Sequence, residues 1–261
     1  MSFFCTTFAA LLVIRKLYQL AVAYTRMLTL NIETSTDVCS AALTDGQRLI
    51  ASRMLAQGNH AHDLPLFIDS LLTLMRSEGM QLSAVALSAG PGSYTGLRIG
   101  TATAKGLCYG YGIPLLAVDT LQLLCASLLG SGFEPSPSQL LCPMIDARRM
   151  EVYTALFDSS LNRLSDVEAK VIDTDTYADL LQERQLVFFG NGAAKLKSVI
   201  TSPNAVFIDS IVPDAKYMGL LASSKLEASD FADLAYFAPF YLKEFQVTVS
   251  HKAQDVLHQH K

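Results

Sequence analysis

The sequence predicts an α/β protein built in two similar halves, and three observations carry that prediction. Three short apolar strands follow one another between residues 28 and 55, with Asp45-Gly46 as a strong hairpin turn between the second and third. Strands and helices then alternate as far as Leu129. The same order, strands first and alternation after, returns in outline between residues 140 and 225.

The elements follow from local pattern. Residues 28–33 alternate apolar and polar side chains, and 38–44 and 47–55 supply the two further antiparallel strands. Leu64, Phe67, Ile68, Leu71, Leu72 and Met75 recur at steps of three and four, which predicts a helix over 63–78 that Gly79 ends. A buried strand at 85–88, a loop at 90–96, a helix at 97–109, a strand at 113–118 and a helix at 121–129 complete the first half. Residues 130–138, rich in Gly, Pro and Ser, are the candidate linker, so the expected lobes are 27–132 and 133–245. In the second half, strands are predicted at 140–145, 152–157, 167–172, 186–189 and 205–208, and helices at 177–183, 193–200 and 217–225. Residues 246–261 are polar, contain His251, His258 and His260, and read as a flexible tail.

Composition narrows the function classes. The 261 residues are 51% hydrophobic and 17% charged, enough to bury a substantial core and unlike a disordered or fibrous chain. With 20 Lys and Arg against 24 Asp and Glu the net charge is −4, which argues against a domain that grips nucleic acid by a basic face of its own. Residues 1–26 are strongly apolar, and Arg15, Lys16 and Arg26 are their only charges. Without them the body, 27–261, holds 17 basic against 24 acidic residues and is the more acidic for it. Three readings of this leader stand open: upstream sequence ahead of a true start at Met27, which is preferred; a docked or membrane-touching helix; and a secretory signal. The signal reading is weakened because the charges follow the apolar run. The run also breaks at Arg15-Lys16, short of the roughly 20 residues that cross a bilayer, so no membrane is expected. Cys5, Cys39, Cys108, Cys125 and Cys142 are widely spaced and lack a C-x-x-C pair, which suits buried thiols in a reducing, cytoplasmic setting.

Candidate chemistry concentrates at strand ends. Gly90-Pro91-Gly92-Ser93-Tyr94-Thr95-Gly96 runs from a strand into a helix, where backbone N–H groups and a helix N-terminus attract anions. It lacks the Lys of a phosphate loop and does not match G-x-G-x-x-G, so a tight structural turn is favoured over a phosphate cradle. Glu33, Thr34, Ser35 and Thr36 end the first strand, where a carboxylate and hydroxyls could meet a metal-bound nucleotide. Gly190, Asn191 and Gly192 form a strand-to-helix turn suited to the same cleft, and Asp146, Arg148 and Arg149 end the first strand of the second half. His60, His62 and Asp63 fall just before the predicted helix, with no recognised metal spacing. No G-x-S-x-G elbow or H-E-x-x-H motif is present.

The helix after the glycine loop is unusually small-sided, with Gly100, Thr101, Ala102, Thr103, Ala104 and Gly106 in succession. Gly within a helix costs about 1 kcal/mol against Ala, and close approach by another helix is the usual compensation. The expected docking face therefore joins Leu66, Phe67, Ser70 and Leu74 of the preceding helix to Arg98, Gly100, Thr101, Ala104 and Cys108. Gly100→Arg or Ala104→Arg should abolish docking there.

Taken together, these segments resemble the bacterial TsaB (YeaZ) family. The closest likeness is the run from Ser88 through Gly100, with Lys105-Gly106-Leu107 after it; Ile32 to Thr36, Asp146 to Tyr153, Gly190 to Ala193 and Pro239 to Lys243 follow in the family's order. The resemblance covers about residues 27–245. It implies an actin-like ATPase fold of two ribonuclease-H-like lobes with mixed sheets flanked by helices. It further implies a noncatalytic subunit that binds a TsaD-like catalytic subunit through a helical bundle. A TsaE-like ATPase joins that assembly, which threonylcarbamoylates N6 of adenosine 37 in tRNA. Contact with tRNA would be indirect, and a homodimer could form without the partner. No cofactor is required, although ATP or ADP could occupy the cleft or the partner interface. TsaD-like proteins hold a catalytic metal with a histidine pair on the first helix; here His60 and His62 have the wrong spacing, so no metal and no catalytic residue are assigned. Glu33 stands where much of the superfamily has Asp, which argues against the rival reading of an independent ATP-dependent phosphotransferase. The glycoprotease label once given to the family lacks its catalytic constellation in this sequence.

Overall fold

A computed structural model describes residues 27–242, so the expectations for 1–26 and 246–261 lie outside the described residues. The first sheet contains β1 (Leu28–Glu33), β2 (Cys39–Asp45), β3 (Arg48–Leu55), β4 (Ala84–Ser88) and β5 (Leu115–Val118), in the order β3-β2-β1-β4-β5. Strands β1 to β3 are antiparallel, whereas β4 and β5 run parallel to β1. The second sheet contains β6 (Leu140–Asp146), β7 (Glu151–Thr154), β8 (Glu168–Val171), β9 (Leu186–Phe189) and β10 (Ala205–Ile208), in the order β10-β9-β6-β7-β8. Read from the other edge, this is the first order again, with the same antiparallel and parallel pairs. The protein is thus two ribonuclease-H-like lobes in tandem.

Helices layer between and outside the sheets. α1 (His60–Ser77) and α2 (Tyr94–Tyr111) cover one face of the first sheet, where Leu64, Leu71 and Ala104 pack on Leu30, Ile32 and Val85. α3 (Thr120–Gly130) is apolar nearly all round, as befits a helix buried between sheets. It shares one core with Leu116 and Val118 of the first sheet, Leu141 and Val187 of the second, and Leu221 and Ala222 of α6 (Gly219–Glu227). The Asp119 side chain caps α3, accepting from the N–H groups of Leu121 and Gln122 at 2.7 and 3.2 Å. It also pairs with Arg163 of the second lobe at 3.0 Å. α4 (Ala178–Glu183) and the short α5 (Ala194–Lys197) close the outer face of the second sheet.

Several boundaries differ from expectation: the helix expected over 97–109 runs Tyr94–Tyr111 and takes in the end of the glycine loop, the strand expected at 152–157 stops at Thr154, and two further differences bear on the architecture. The first helix begins three residues early, so His60 and His62 lie in its first turn instead of before it; His60 Nε2 is 3.2 Å from the Val38 carbonyl oxygen and His62 pairs with Asp63. The chain also does not stay in its second lobe to residue 245. The 3₁₀ turn Ala215–Tyr217 and α6 return to the first sheet: Asn31 donates to the Ala215 carbonyl and the Ala215 N–H donates to Ser40 Oγ at 3.0 Å. Ala232 then bridges to Leu115. The reason is the polar side of β1: Thr29 and Asn31 bond to each other and to Thr44, and this network needs a cover to stay dry. Among the described residues no helix is long and apolar enough to cross a membrane.

Candidate functional site

The glycine loop is built to let backbones touch. After a cis Gly90–Pro91 bond, the Ser93 N–H donates to the Ser35 carbonyl at 2.6 Å and Ser93 Oγ caps α2 through the Gly96 N–H. Thr34 Oγ1 reaches back to the Gly96 carbonyl at 2.8 Å. A Cβ at Gly92 would overlap the Ser35 carbonyl, one at Gly96 the Thr34 carbonyl, and one at Gly100 the Thr34 hydroxyl. Gly90, at φ +108°, lies against the Phe240 carbonyl, whose residue donates its N–H to Ala89. The glycines therefore seat the loop on residues 34 and 35 and on the chain's own late segment.

That packing changes the reading of Glu33, Thr34 and Ser35. All three are buried, so they line no open cleft; the loop would have to lift before a nucleotide reached them. Glu33 Oε1 accepts from both the N–H and the hydroxyl of Ser35, while Oε2 has no hydrogen-bond partner. The neighbouring Ser88 hydroxyl is equally unsatisfied. Burial pushes the Glu33 carboxyl up to about 7 against the opposing bonds from Ser35, and the charge of Asp214 adds to the rise.

The second lobe repeats this geometry with a different outcome. Asp146 ends β6 as Glu33 ends β1, and Gly190 follows β9 at φ +98° as Gly90 follows β4. A Cβ at Gly190 would overlap the Met144 carbonyl, and one at Gly192 would crowd Ile145 and Asp146. Asn191 Oδ1 accepts from the Asp146 N–H at 2.9 Å, so the predicted Gly190, Asn191 and Gly192 do meet Asp146. Asp146 is exposed, and its carboxylate holds Lys195 at 2.6 Å and the N–H of Arg148. Lys195 also donates to the Glu151 carbonyl. The spacing of residues 146 and 191 gave no hint of Lys195.

The expected docking face divides in two. Leu66 is 58% exposed and Phe67, Ser70 and Leu74 are half-buried along α1, while Arg98 is exposed on α2. Gly100, Thr101, Ala104 and Cys108 are buried and face the protein's own core, a correction to the expected face. An arginine at 100 or 104 would damage the fold before it reported on a partner. The small residues that do face outward are Ala102, Gly106 and Gly110, and nothing lies within 4 Å of a Cβ at either glycine. Their spacing of four from Arg98 was a readable signal that the uniform smallness of the helix concealed. At the head of α2, Arg98 donates to Tyr94 Oη at 3.0 Å, and the Tyr94 ring lies 4.9 Å from that of Tyr241. Lys105 anchors the same late segment through the carbonyls of Ala235 and Phe237. Among the described residues no group of three or more His, Cys, Asp or Glu side chains could hold a metal.

A family model described as TsaD, tRNA N6-adenosine threonylcarbamoyltransferase, matches residues 53–251. The tRNA threonylcarbamoyladenosine biosynthesis protein TsaB of Bacillus subtilis is 30% identical over 213 residues, covering 80% of this chain and 86% of its own. The chain belongs to the TsaB (YeaZ) family. The Haemophilus influenzae TsaB protein is 27% identical, covering 82% of this chain and 92% of its own. YeaZ from Pseudomonas aeruginosa shares the fold, with a TM-score of 0.65 at 24% identity over 82% of this chain and 99% of its own. Within the TsaB family the chain is an accessory protein of tRNA threonylcarbamoyladenosine biosynthesis.

Proposed function

We propose that the chain is a noncatalytic subunit that docks a TsaD-like catalytic subunit on the outward faces of α1 and α2. One observation carries this reading: Gly106 and Gly110 lie on the exposed side of a helix, each costing about 1 kcal/mol against Ala, with no internal neighbour that needs them. A partner helix lying close against Ala102 and Gly106, beside the apolar Leu66, Phe67 and Leu74, supplies the missing reason. A TsaE-like ATPase joins through that assembly, which modifies adenosine 37 of tRNA in the cytoplasm, and a second copy of the chain can occupy the face when the partner is absent. The four buried cysteines among the described residues are all free, which fits a reducing compartment.

In titration calorimetry with the catalytic subunit, Leu66→Glu and Gly106→Arg should each weaken association at least about 30-fold, the range of an interface hot spot, with melting unchanged in the first and unchanged or raised in the second. Normal binding by both variants would reject the face. The rival reading, an independent ATP-dependent phosphotransferase, is poorly served by a buried Glu33. Magnesium-dependent ATP turnover by the isolated chain, lost in Glu33→Ala, would restore it.

A further inference from the structure

The turn between β6 and β7 has a composition that its backbone does not favour. Arg148 and Arg149 stand at φ 69° and 50°, the left-handed region that Gly and Asn enter easily and that costs an arginine of order 1 kcal/mol. The turn is nonetheless firmly held. The Arg148 N–H donates to Asp146, the Ala147 N–H to the Glu151 carbonyl, and the Ile172 N–H to the Met150 carbonyl, at 2.6, 3.1 and 2.8 Å. Asp146 is itself fixed by Asn191 and Lys195.

Both arginine side chains are exposed, and neither has an ion pair, hydrogen bond or ring contact, while most other lysines and arginines among the described residues are paired or hydrogen-bonded. In a body with 17 basic against 24 acidic residues, two adjacent free guanidiniums on a braced turn form a local cationic point. Strain kept at such a place, where Asn-Gly would relieve it, points to work done by the side chains.

We infer that the Arg148-Arg149 turn is a phosphate contact through which this chain touches the RNA held by its assembly. The inference rests on the assignment to a tRNA-modifying assembly. A guanidinium fork fits phosphate oxygens two at a time. The turn also belongs to the second sheet, whereas α1 and α2 cover the first, so a partner docked on those helices leaves it a separate surface. An acidic body repels RNA in general, which makes a confined contact of this kind a positioning device more than a source of bulk affinity.

The test uses the full chain assembled with the catalytic subunit, and unmodified tRNA as the probe, with affinity followed by fluorescence anisotropy across a salt series. Arg148→Asn combined with Arg149→Gly removes both charges while giving the turn residues that suit its backbone, so melting should hold or rise. This variant should join the catalytic subunit normally but bind tRNA about tenfold more weakly near 0.1 M salt, with the salt slope reduced by about 1 to 2. Arg148→Lys with Arg149→Lys should recover most of the loss. Unchanged tRNA affinity and slope in an intact assembly would overturn the contact and leave the docking reading standing. Weakened joining of the catalytic subunit by the Asn-Gly variant would overturn it differently, making the turn a contact for an acidic protein surface. Failure of the unmodified chain to join at all would reject the docking reading and, with it, this inference.

Discussion

Gly96→Ala should destabilise the protein by about 3 kcal/mol or more, the upper end of what one added carbon costs in a packed interior. The new Cβ would overlap the Thr34 carbonyl oxygen, which cannot retreat. That residue's hydroxyl is bonded to the Gly96 carbonyl, and the next carbonyl along accepts the Ser93 N–H. Relief therefore requires the whole 90–96 loop to rise from the end of β1, and α2 with it. In thermal unfolding the midpoint should fall by roughly 6–12 °C for a chain of this size. Gly106→Ala, ten residues along the same helix, should move the other way, gaining about 0.5–1 kcal/mol because its Cβ meets nothing and helical propensity improves. Opposite signs from one substitution type in one helix separate packing from propensity. A Gly96→Ala midpoint within 2 °C of the parent would show that the loop lifts readily, and would reopen the buried Glu33 to ligands.

Glu33→Gln should stabilise the protein above neutral pH and flatten its pH dependence. The folded carboxyl titrates near 7, above the ordinary carboxylate range that it recovers on unfolding. Between those values the native state holds a proton that the unfolded state has released, so stability falls as pH rises through the window from about 4.5 to 7. The loss amounts to about 3 kcal/mol once pH exceeds the folded value. Glutamine keeps the oxygen that accepts from Ser35 and offers an N–H₂ to the unsatisfied Ser88 hydroxyl. Urea unfolding at pH 5.5 and 8.5 is the measurement: the parent should be the less stable at the higher pH and the variant nearly equal at both. A parent equally stable at both would mean that the carboxyl is solvated.

The fold was legible wherever one local signal decided it. Asp45-Gly46 marked the hairpin, the steps between Leu64 and Met75 marked α1, and the strand-first order of each half foretold two sheets of one topology. The site was less legible, because its logic lies in which side of a small residue is occupied. Gly100, Ala104 and Cys108 point inward and Ala102, Gly106 and Gly110 outward, yet a helix small on all sides carries little amphipathic contrast to tell them apart. For Gly92 and Gly96 the sequence favoured a tight structural turn over an anion cradle, but it could not show that the space is filled by carbonyls some sixty residues earlier in the chain. Glu33 stood out in the sequence as a departure from the superfamily's Asp; its complete burial, and the Asp214 charge that adds to its raised titration, lie outside what a local window shows.

The return of residues 214–232 to the first sheet sets a constraint on biosynthesis. The amino-terminal half emerges from the ribosome with all its strands but without the cover for Thr29, Asn31 and Thr44, which arrives only when four-fifths of the chain has been made. Until then β1 presents hydrogen-bonding side chains to water on one face, and the first lobe waits on the second for its final state. A nascent chain halted before residue 214 should accordingly remain protease-sensitive between residues 28 and 118, even though every strand of that sheet has already been translated.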